Sequence, residues 1–195
     1  MTAGTWKGRA LKTPDSHLTR PTQARLRQAL FNSIQFEVQG AKILDLFSGA
    51  GTLGFEALSR GAGEVVFVES ALPALKCLER NIEEFEVQEL TQVLKATVLS
   101  VRDYLYSVGP FDIILADPPY QGGFEMKLLE DFNWDKLLTP SGLFILEWGK
   151  LKSKVGVLPD SINGLTKKRE KIYGDSVLTH YRRAEENREE EGVIV

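Results

Sequence analysis

The sequence predicts an α/β fold: one mostly parallel sheet with helices on both faces. Short apolar runs of strand length alternate with segments of helical periodicity from residue 40 to residue 149. The 195 residues are 43% hydrophobic, which suffices for one domain with a full core. Near the end, residues 165–183 form two strand-like pieces around Gly174 and Asp175, which indicates a terminal hairpin with at least one antiparallel strand.

The first 36 residues are expected to form an N-terminal extension outside the main sheet. Residues 4–13, GTWKGRALKT, alternate around a Lys-Gly pair and predict a small hairpin. An amphipathic helix should follow, because Pro21 suits a first helical turn and apolar residues recur at helical spacing at Leu26, Leu30 and Ile34. Residues 1–30 carry six cations and one acid, a local balance of +5, which indicates a polyanionic partner.

Residues 37–183 are expected to form the sheet domain. The predicted order is strand AKILDLF, helix 52–60, strand EVVFVE, helix 72–84, a weaker strand 93–99, a short helix after Arg102, strand FDIILAD, helix 123–131 and strand GLFILEW. Strands separated by helices imply a parallel sheet with right-handed crossovers. Residues 184–195 hold five glutamates and one arginine and predict an acidic, disordered tail.

Composition narrows the function classes. The single cysteine, Cys77, excludes an internal disulfide and a cysteine-cluster metal site, and we expect no bound metal. No apolar run approaches the roughly 20 residues that a membrane span needs, and the start lacks the apolar core of a signal peptide. We therefore expect a cytoplasmic protein with no membrane partner, and we expect a monomer.

A glycine-rich turn follows the first strand of the sheet. Gly49, Gly51 and Gly54 satisfy the G-x-G-x-x-G spacing, and Glu69 ends the next strand. Such a turn allows close approach by a ligand, and an acid at the tip of strand two can accept hydrogen bonds from both hydroxyls of a ribose. Asp45 would oppose a pyrophosphate but suits a cationic ligand, so the residues favour S-adenosylmethionine over NAD.

The stretch ILADPPY places an acid, two prolines and a tyrosine at the end of a buried strand. Proline cannot donate to a sheet ladder, so the strand must stop at Asp117. The Asp117 carboxylate and the Pro118 carbonyl could accept hydrogen bonds from an exocyclic amine, Pro119 would stiffen the turn, and Tyr120 could stack on a flipped-out base. The stretch therefore predicts methyl transfer to an exocyclic amine, without a strong general base.

These motifs also carry a family resemblance. DLFSGAG, FVE and DPPY, in this order, resemble the class I, Rossmann-like methyltransferases of exocyclic amines, which implies a seven-stranded sheet with an antiparallel last strand. GRALKTP, TRPTQARLRQALFNSI and KIYGDSVLTHYR resemble the bacterial small-subunit rRNA guanine-N2-methyltransferase D family (RsmD-type). The resemblance covers nearly the whole chain and implies that S-adenosyl-L-methionine methylates N2 of a guanine in 16S rRNA, as naked rRNA or in a small ribosomal subunit particle.

The motifs and the resemblance together assign the site residues. The expected cofactor-binding residues are Asp45, Phe47, Ser48, Gly49, Gly51, Glu69, Ser70, Ser100, Val101 and Asp117. The expected catalytic residues, which orient the guanine amine, are Asp117, Pro118, Pro119 and Tyr120. The expected RNA-binding residues are Lys7, Arg9, Arg20, Pro21, Thr22 and Arg25.

Two positions depart from the family pattern. Ala24 precedes Arg25 where an aspartate is usual, so any salt bridge or cap from that acid is missing. Ser100 stands where an acid often contacts the adenine amine, which could weaken cofactor affinity.

Two alternative functions stay open: an adenine-N6 or cytosine-N4 DNA methyltransferase, and a catalytically idle rRNA-binding assembly factor.

Overall fold

The computed structural model describes residues 1–14, 21–119, 122–149 and 156–184. Its helices are α1 (Pro21–Ser33), α2 (Thr52–Ser59), α3 (Leu72–Glu84), α4 (Arg102–Val108), α5 (Phe124–Asp131) and α6 (Trp134–Leu137). Its strands are β1 (Lys42–Leu46), β2 (Glu64–Glu69), β3 (Thr91–Lys95), β4 (Phe111–Ala116), β5 (Leu138–Gly149), β6 (Ser161–Ile162), β7 (Leu165–Tyr173) and β8 (Ser176–Arg183). Within these residues, no helix is long and apolar enough to cross a membrane.

One sheet runs through the molecule in the order β3-β2-β1-β4-β5-β8-β7-β6. The first five strands are parallel to one another, and β8 is antiparallel to both β5 and β7. This confirms the predicted fold, including the antiparallel last strand and the terminal hairpin. The two-residue strand β6 pairs with the start of β7 and adds an eighth strand to the seven that were expected.

The core has one apolar layer on each face of the sheet. Residues of α1, α2 and α3 pack against one face, where Phe31 and Phe55 are fully buried. Residues of α4, α5 and α6 pack against the other, where Leu105 and Trp134 are buried. Strands β1 and β4 are covered from both sides, which explains why both read as near-continuous apolar runs. The covered strands provide a rigid base for the residues at their ends.

The hairpin that was expected over residues 4–13 is wrong, because these residues form turns and loop instead of strands. Several backbone N–H groups of the N-terminal segment donate to the sheet domain, and others close turns within the segment. The N–H groups of Thr2 and Ala3 donate to the carboxylate of Glu56 at 2.7 and 3.1 Å, and the Lys12 N–H donates to Asn81 Oδ1 at 2.9 Å. A hairpin would use those groups for pairing within the segment.

Glu56 anchors this N-terminal segment from within helix α2. Its residue is fully buried, and it also accepts a hydrogen bond from Arg60 Nε at 2.8 Å. Burial alone would raise the pKa of Glu56, but the hydrogen bonds from Thr2 and Arg60 hold this pKa below its usual value. The segment is therefore bound to the domain through an ionised, buried carboxylate.

Candidate active site

A cavity of about 760 Å³ opens at the carboxyl ends of β1, β2 and β4. Open α/β sheets bind their ligands at this edge, where the strand order reverses. The lining residues come from α1, from the ends of three strands and from the loops that follow them: Gln23, Phe47, Val68, Glu69, Ser70, Ala96, Thr97, Val98, Leu99, Asp117, Pro118, Pro119 and Phe124. The volume is within the range of sites for small molecules and cofactors.

The glycine-rich turn after β1 shapes one wall of this cavity. Phe47 adopts a φ of 61°, which is rare for a bulky residue and is typical of functional turns. Gly49, with φ 57°, faces open space, since a Cβ there would meet no heavy atom within 4 Å. A Cβ on Gly54 would instead lie 2.2 Å from the Phe67 ring, so this glycine lets α2 pack on β2. The first glycine of the motif thus leaves room for a ligand, and the last serves packing.

Glu69 connects the ends of β1 and β2 at the cavity wall. Its Oε2 accepts a hydrogen bond from Gly49 N–H at 2.8 Å, and its Oε1 accepts from Ser70 and Ala71 N–H at 2.7 Å each. These bonds fix the carboxylate in one orientation while its residue lines the cavity. Glu69 therefore lies at the cavity wall with a fixed carboxylate, and its predicted role as an acceptor for ribose hydroxyl groups stays a prediction.

Asp45 lies beneath the glycine-rich turn and does not line the cavity directly. It is 1% exposed, and its Oδ2 accepts a hydrogen bond from Gly54 N–H at 2.9 Å. Burial raises the pKa of Asp45 to about 8, although the hydrogen bond from Gly54 opposes this shift; the charges of Asp117 and Glu69 add to it. A cationic ligand nearby would stabilise the ionised form.

The loop after β3 forms an apolar wall of the cavity. Ala96, Val98 and Leu99 line it together with Thr97, whose Oγ1 donates to Ser100 Oγ at 2.8 Å. Ser100 and Val101 follow this wall: Ser100 is held by Thr97, and Val101 is buried at the start of α4. The sequence thus located the adenine-facing segment within a few residues but favoured its last two positions over those that line the cavity.

The acidic end of β4 forms the opposite wall. Asp117, Pro118 and Pro119 line the same cavity as Glu69, which brings the two predicted halves of the site together. The Asp117 residue is exposed towards the cavity, and desolvation by the residues around its carboxyl raises its pKa to about 6. Tyr120 lies outside the described residues.

A second acid, Glu147, lies beside Asp117 and was not predicted. Ala116 of β4 pairs with Leu146 of β5, so the next residue of each strand falls at the same level and on the same face of the sheet. Burial and, to a lesser extent, the charge of Asp117 together raise the pKa of Glu147 to about 8, and a hydrogen bond with Ser176 opposes this shift. The acceptor end of the site therefore contains two interacting carboxyl groups.

The predicted RNA-binding residues differ in their contacts, and some of them lie outside the described residues. Lys7 and Arg25 are exposed. Arg9 stacks on Phe85, with its guanidinium carbon 3.8 Å from the ring centroid, and its Nη2 donates to the Glu84 carbonyl at 3.2 Å. Arg20 and the side chains of Pro21 and Thr22 lie outside the described residues. Arg9 thus has a packing role that its sequence position did not indicate.

Seven lining residues were missed by the sequence reasoning: Gln23, Val68, Ala96, Thr97, Val98, Leu99 and Phe124. Gln23 reaches the cavity from the first turn of α1, Thr97 from the β3–α4 loop, and Phe124 from the start of α5. The Phe124 ring packs edge-on against Phe47, with centroids 5.2 Å apart. Gln23 lies just after the Arg-Pro-Thr segment, which was a usable signal, whereas one Thr in a loop and one Phe at the start of a helix give none.

The described residues contain no group of three or more His, Cys, Asp or Glu arranged to hold a metal ion.

Comparison with known proteins identifies relatives along nearly the whole chain. The family model described as "Conserved hypothetical protein 95" matches residues 1–182. Ribosomal RNA small subunit methyltransferase D of Haemophilus influenzae is 33% identical over 154 residues, which cover 77% of this chain and 78% of the relative. Putative rRNA methyltransferase YlbH of Bacillus subtilis is 29% identical over 185 residues, which cover 93% and 97%. The solved structure of putative methyltransferase yhhF from Escherichia coli has a TM-score of 0.78 at 30% identity and covers 93% of this chain and 95% of that one.

The strand order, the antiparallel β8 and the cavity beside the glycine-rich turn define a Rossmann-like, class I methyltransferase. S-adenosyl-L-methionine, the cofactor predicted from the sequence, is the cofactor of this class. The chain belongs to the family described as conserved hypothetical protein 95, and within it to the RsmD-type methyltransferases.

Proposed function

We propose that this protein transfers a methyl group from S-adenosyl-L-methionine to the exocyclic N2 amine of a guanine in 16S rRNA. The observation that carries the proposal is the single cavity that contains both Glu69 and the Asp117-Pro118-Pro119 end of β4. The relatives named as small-subunit rRNA methyltransferases support an rRNA substrate. The choice of guanine and of its N2 atom rests on the resemblance.

The residues present fit S-adenosyl-L-methionine. The open space at Gly49 gives room beside the turn, the fixed carboxylate of Glu69 can accept from the ribose hydroxyls, and the apolar wall 96–99 suits an adenine ring. Asp45 supplies a carboxyl group that a positive charge would keep ionised. When bound, the cofactor supplies an electrophilic methyl group on a positively charged sulfur.

The residues after β4 are proposed to position the acceptor amine. The Asp117 carboxylate and the Pro118 carbonyl each accept one N–H hydrogen bond, which directs the nitrogen lone pair into the cavity. Pro118 and Pro119 have no N–H of their own, so nothing in this turn competes as a donor. The amine loses its proton readily once it is methylated and cationic, so positioning and electrostatics suffice without a strong base. Tyr120 is proposed to stack on the extruded base.

The remaining predictions concern the N-terminal extension, the acidic tail, the location and the oligomeric state of the protein. Residues 1–36 are proposed to face the RNA as an extension of the methyltransferase domain 37–183, and Lys7, Arg20 and Arg25 are proposed to contact phosphates. The acidic tail 184–195, whose residues 185–195 lie outside the described parts of the chain, stays a prediction. Cytoplasmic location and a monomeric state also stay predictions.

The proposal is tested by product identification. Purified protein is incubated with isotope-labelled S-adenosylmethionine and undermethylated small-subunit rRNA or particles, and the labelled nucleoside is identified by mass spectrometry. We expect N2-methylguanosine. Labelled N6-methyladenosine would keep the fold and chemistry but overturn the substrate, and no label would favour DNA substrates or the idle assembly factor.

A matched pair of variants tests the mechanism. Asp117→Ala removes the proposed acceptor and is expected to reduce methylation on the order of 100-fold or more, because a misplaced amine loses much of the benefit of orientation. Asp103→Ala removes an exposed acid of α4, whose side chain is 90% exposed, and should leave the rate unchanged. Equal rates for Asp117→Ala and wild type would refute the assigned role.

A further inference from the structure

Strand β7 presents two cations on the face of the sheet that α1 covers. Arg169 pairs with His180 and Lys171 pairs with Leu178 in the β7–β8 ladder, and paired residues point to the same face. His180 and Leu178 lie on the α1 side, since His180 Nε2 is 3.1 Å from Ser33 Oγ and Leu178 belongs to the core that includes α1. Arg169 and Lys171 are both exposed, so their charges reach solvent beside α1.

These two cations extend towards the substrate edge of the sheet. Strand β7 runs in the same direction as β5, because both are antiparallel to β8. Leu178 pairs with Glu147 on one side and with Lys171 on the other, so Lys171 is level with the two acids of the acceptor site. Three strand spacings of about 4.8 Å separate β7 from β4, which gives roughly 14 Å. Lys171 is therefore close to the cavity without lining it.

The charges of this pair are not neutralised by neighbours. Arg169 and Lys171 form no ion pair with any residue that the structure describes, whereas Lys167 pairs with Asp160 at 2.9 Å and Arg182 pairs with Glu37. The acid between them, Glu170, accepts a hydrogen bond from Thr179 at 3.2 Å and so points to the opposite face. Burial, together with the charges of Arg169, Arg182 and Lys171, lowers the pKa of His180 to about 4, as expected in a positive field.

We propose that Arg169 and Lys171 form a second phosphate-binding surface, on strand β7, for the RNA that flanks the target base. Two unpaired cations beside the substrate edge complement the backbone of a polyanion, and phosphate contacts fix the register of a nucleic acid on its protein. The inference rests on the proposed function and deepens it. It adds a surface about 144 residues along the chain from Arg25, the last of the N-terminal residues proposed to bind RNA, so the RNA would be held by α1 and by β7 beside it.

The double variant Arg169→Gln/Lys171→Gln tests this inference. RNA affinity is measured from 50 to 300 mM salt with a small-subunit rRNA fragment. We expect an affinity loss on the order of tenfold at low salt and a log–log salt slope smaller by about one per cation. The control Arg102→Gln/Lys136→Gln removes the half-buried Arg102 of α4 and the exposed Lys136 of α6, next to the opposite face, and should change neither quantity. Affinity for S-adenosylhomocysteine should stay unchanged in both variants.

Three outcomes distinguish RNA binding by Arg169 and Lys171 from a role in preventing edge pairing and from failure of the proposed function. Equal RNA affinity and salt slope for the two double variants would overturn the inference. Lysines on an edge strand can also prevent edge-to-edge pairing, so a variant that dimerises by light scattering yet binds RNA like wild type would also overturn it. A wild type that forms no methylated guanosine would contradict the proposed function, while loss of RNA affinity in the β7 variant alone would still support this surface.

Discussion

Asp117 and Glu147 lie side by side at the ends of neighbouring parallel strands, on one face of the sheet. The pairing of Ala116 with Leu146 fixes this arrangement. Desolvation raises the pKa of Asp117 to about 6 and that of Glu147 to about 8, and the charge of Asp117 contributes to the second value. Two carboxyl groups this close release their protons in sequence. Asp117 is then the ionised acceptor at neutral pH, and Glu147 holds its proton.

This order of ionisation predicts the pH profile of methylation. The rate should rise with pH around a midpoint of about 6, because the Asp117 carboxylate accepts the amine hydrogen bond only when ionised. Glu147→Gln mimics the protonated neighbour and should leave this midpoint in place. Single-turnover rates from pH 5 to 9 check the prediction, with the exposed acid variant Glu130→Gln as control. A midpoint that falls by a full unit in Glu147→Gln would show that Glu147 ionises first.

Asp45 is expected to reduce stability at high pH. Its pKa rises from 3.8 to about 8 on folding, so the native state holds an extra proton between these values. Protonated Asp45 therefore contributes fully to the free energy of unfolding below pH 4, and this contribution is lost as the pH rises through 8. Asp45→Asn imitates the protonated acid and should be more stable than wild type at pH 8, on the order of 5 kcal/mol, but not at pH 4. Denaturant unfolding at both pH values measures this difference, and an equal difference at both would contradict it.

The same substitution should weaken cofactor binding. A positive ligand near Asp45 favours the ionised form, so binding of S-adenosylmethionine at pH 7 should release part of a proton from wild type. Calorimetry in two buffers of different ionisation enthalpy measures this proton release. Asp45→Asn should bind on the order of tenfold more weakly and should release fewer protons. Proton release equal to that of wild type would assign the proton to another group.

The sequence predicted the parts of the site that depend on strand ends. Glu69 ends one apolar run and Asp117 follows another, so their meeting at one edge follows from the parallel sheet alone. The hairpin over residues 4–13 failed because Ser59 and Asn81, distant in sequence, accept the N–H hydrogen bonds of Trp6 and Lys12, while local turns take those of Lys7 and Arg9. Pattern reasoning sees local pairing and cannot see such partners.

The burial of individual side chains and the register between neighbouring strands could also not be predicted from the sequence. Nothing in DLFSGAG shows that Asp45 is sealed beneath the turn while Gly49 faces open space. Glu147 was predicted only as part of a strand, and its closeness to Asp117 requires the β4–β5 register, which shifts between Phe111 and Ile113. Such an irregularity cannot be derived from the periodicity of either strand.

Gly49 offers a test of the ligand space at the turn. Gly49→Ala and Gly174→Ala replace glycines with similar φ values of 57° and 61°, and neither new Cβ would meet a heavy atom within 4 Å. Each should cost about 1 kcal/mol of stability through backbone strain. Only Gly49→Ala should weaken binding of S-adenosylhomocysteine, because Gly49 belongs to the turn that borders the cavity through Phe47, whereas Gly174 lies in the turn between β7 and β8. Equal affinities in the two variants would show that the cofactor does not approach Gly49.

Asn81 connects the N-terminal segment to the glycine-rich turn through one buried side chain. Its Nδ2 donates to the carbonyls of Ala50 and Lys12 at 3.0 and 2.9 Å, and its Oδ1 accepts from Lys12 N–H. Asn81→Ala leaves three buried or half-buried backbone groups without this partner and should cost about 2–4 kcal/mol. It should also weaken S-adenosylhomocysteine binding, because Ala50 belongs to the turn.

Ser59→Ala separates these two effects. Ser59 Oγ accepts from Trp6 N–H and donates to the Ala3 carbonyl, so its loss loosens the N-terminal segment without touching the turn. Calorimetry on both variants should therefore show reduced stability in each and weaker cofactor binding in Asn81→Ala alone. If Ser59→Ala weakens cofactor binding as much, the N-terminal segment as a whole supports the turn, and Asn81 has no specific role in positioning it.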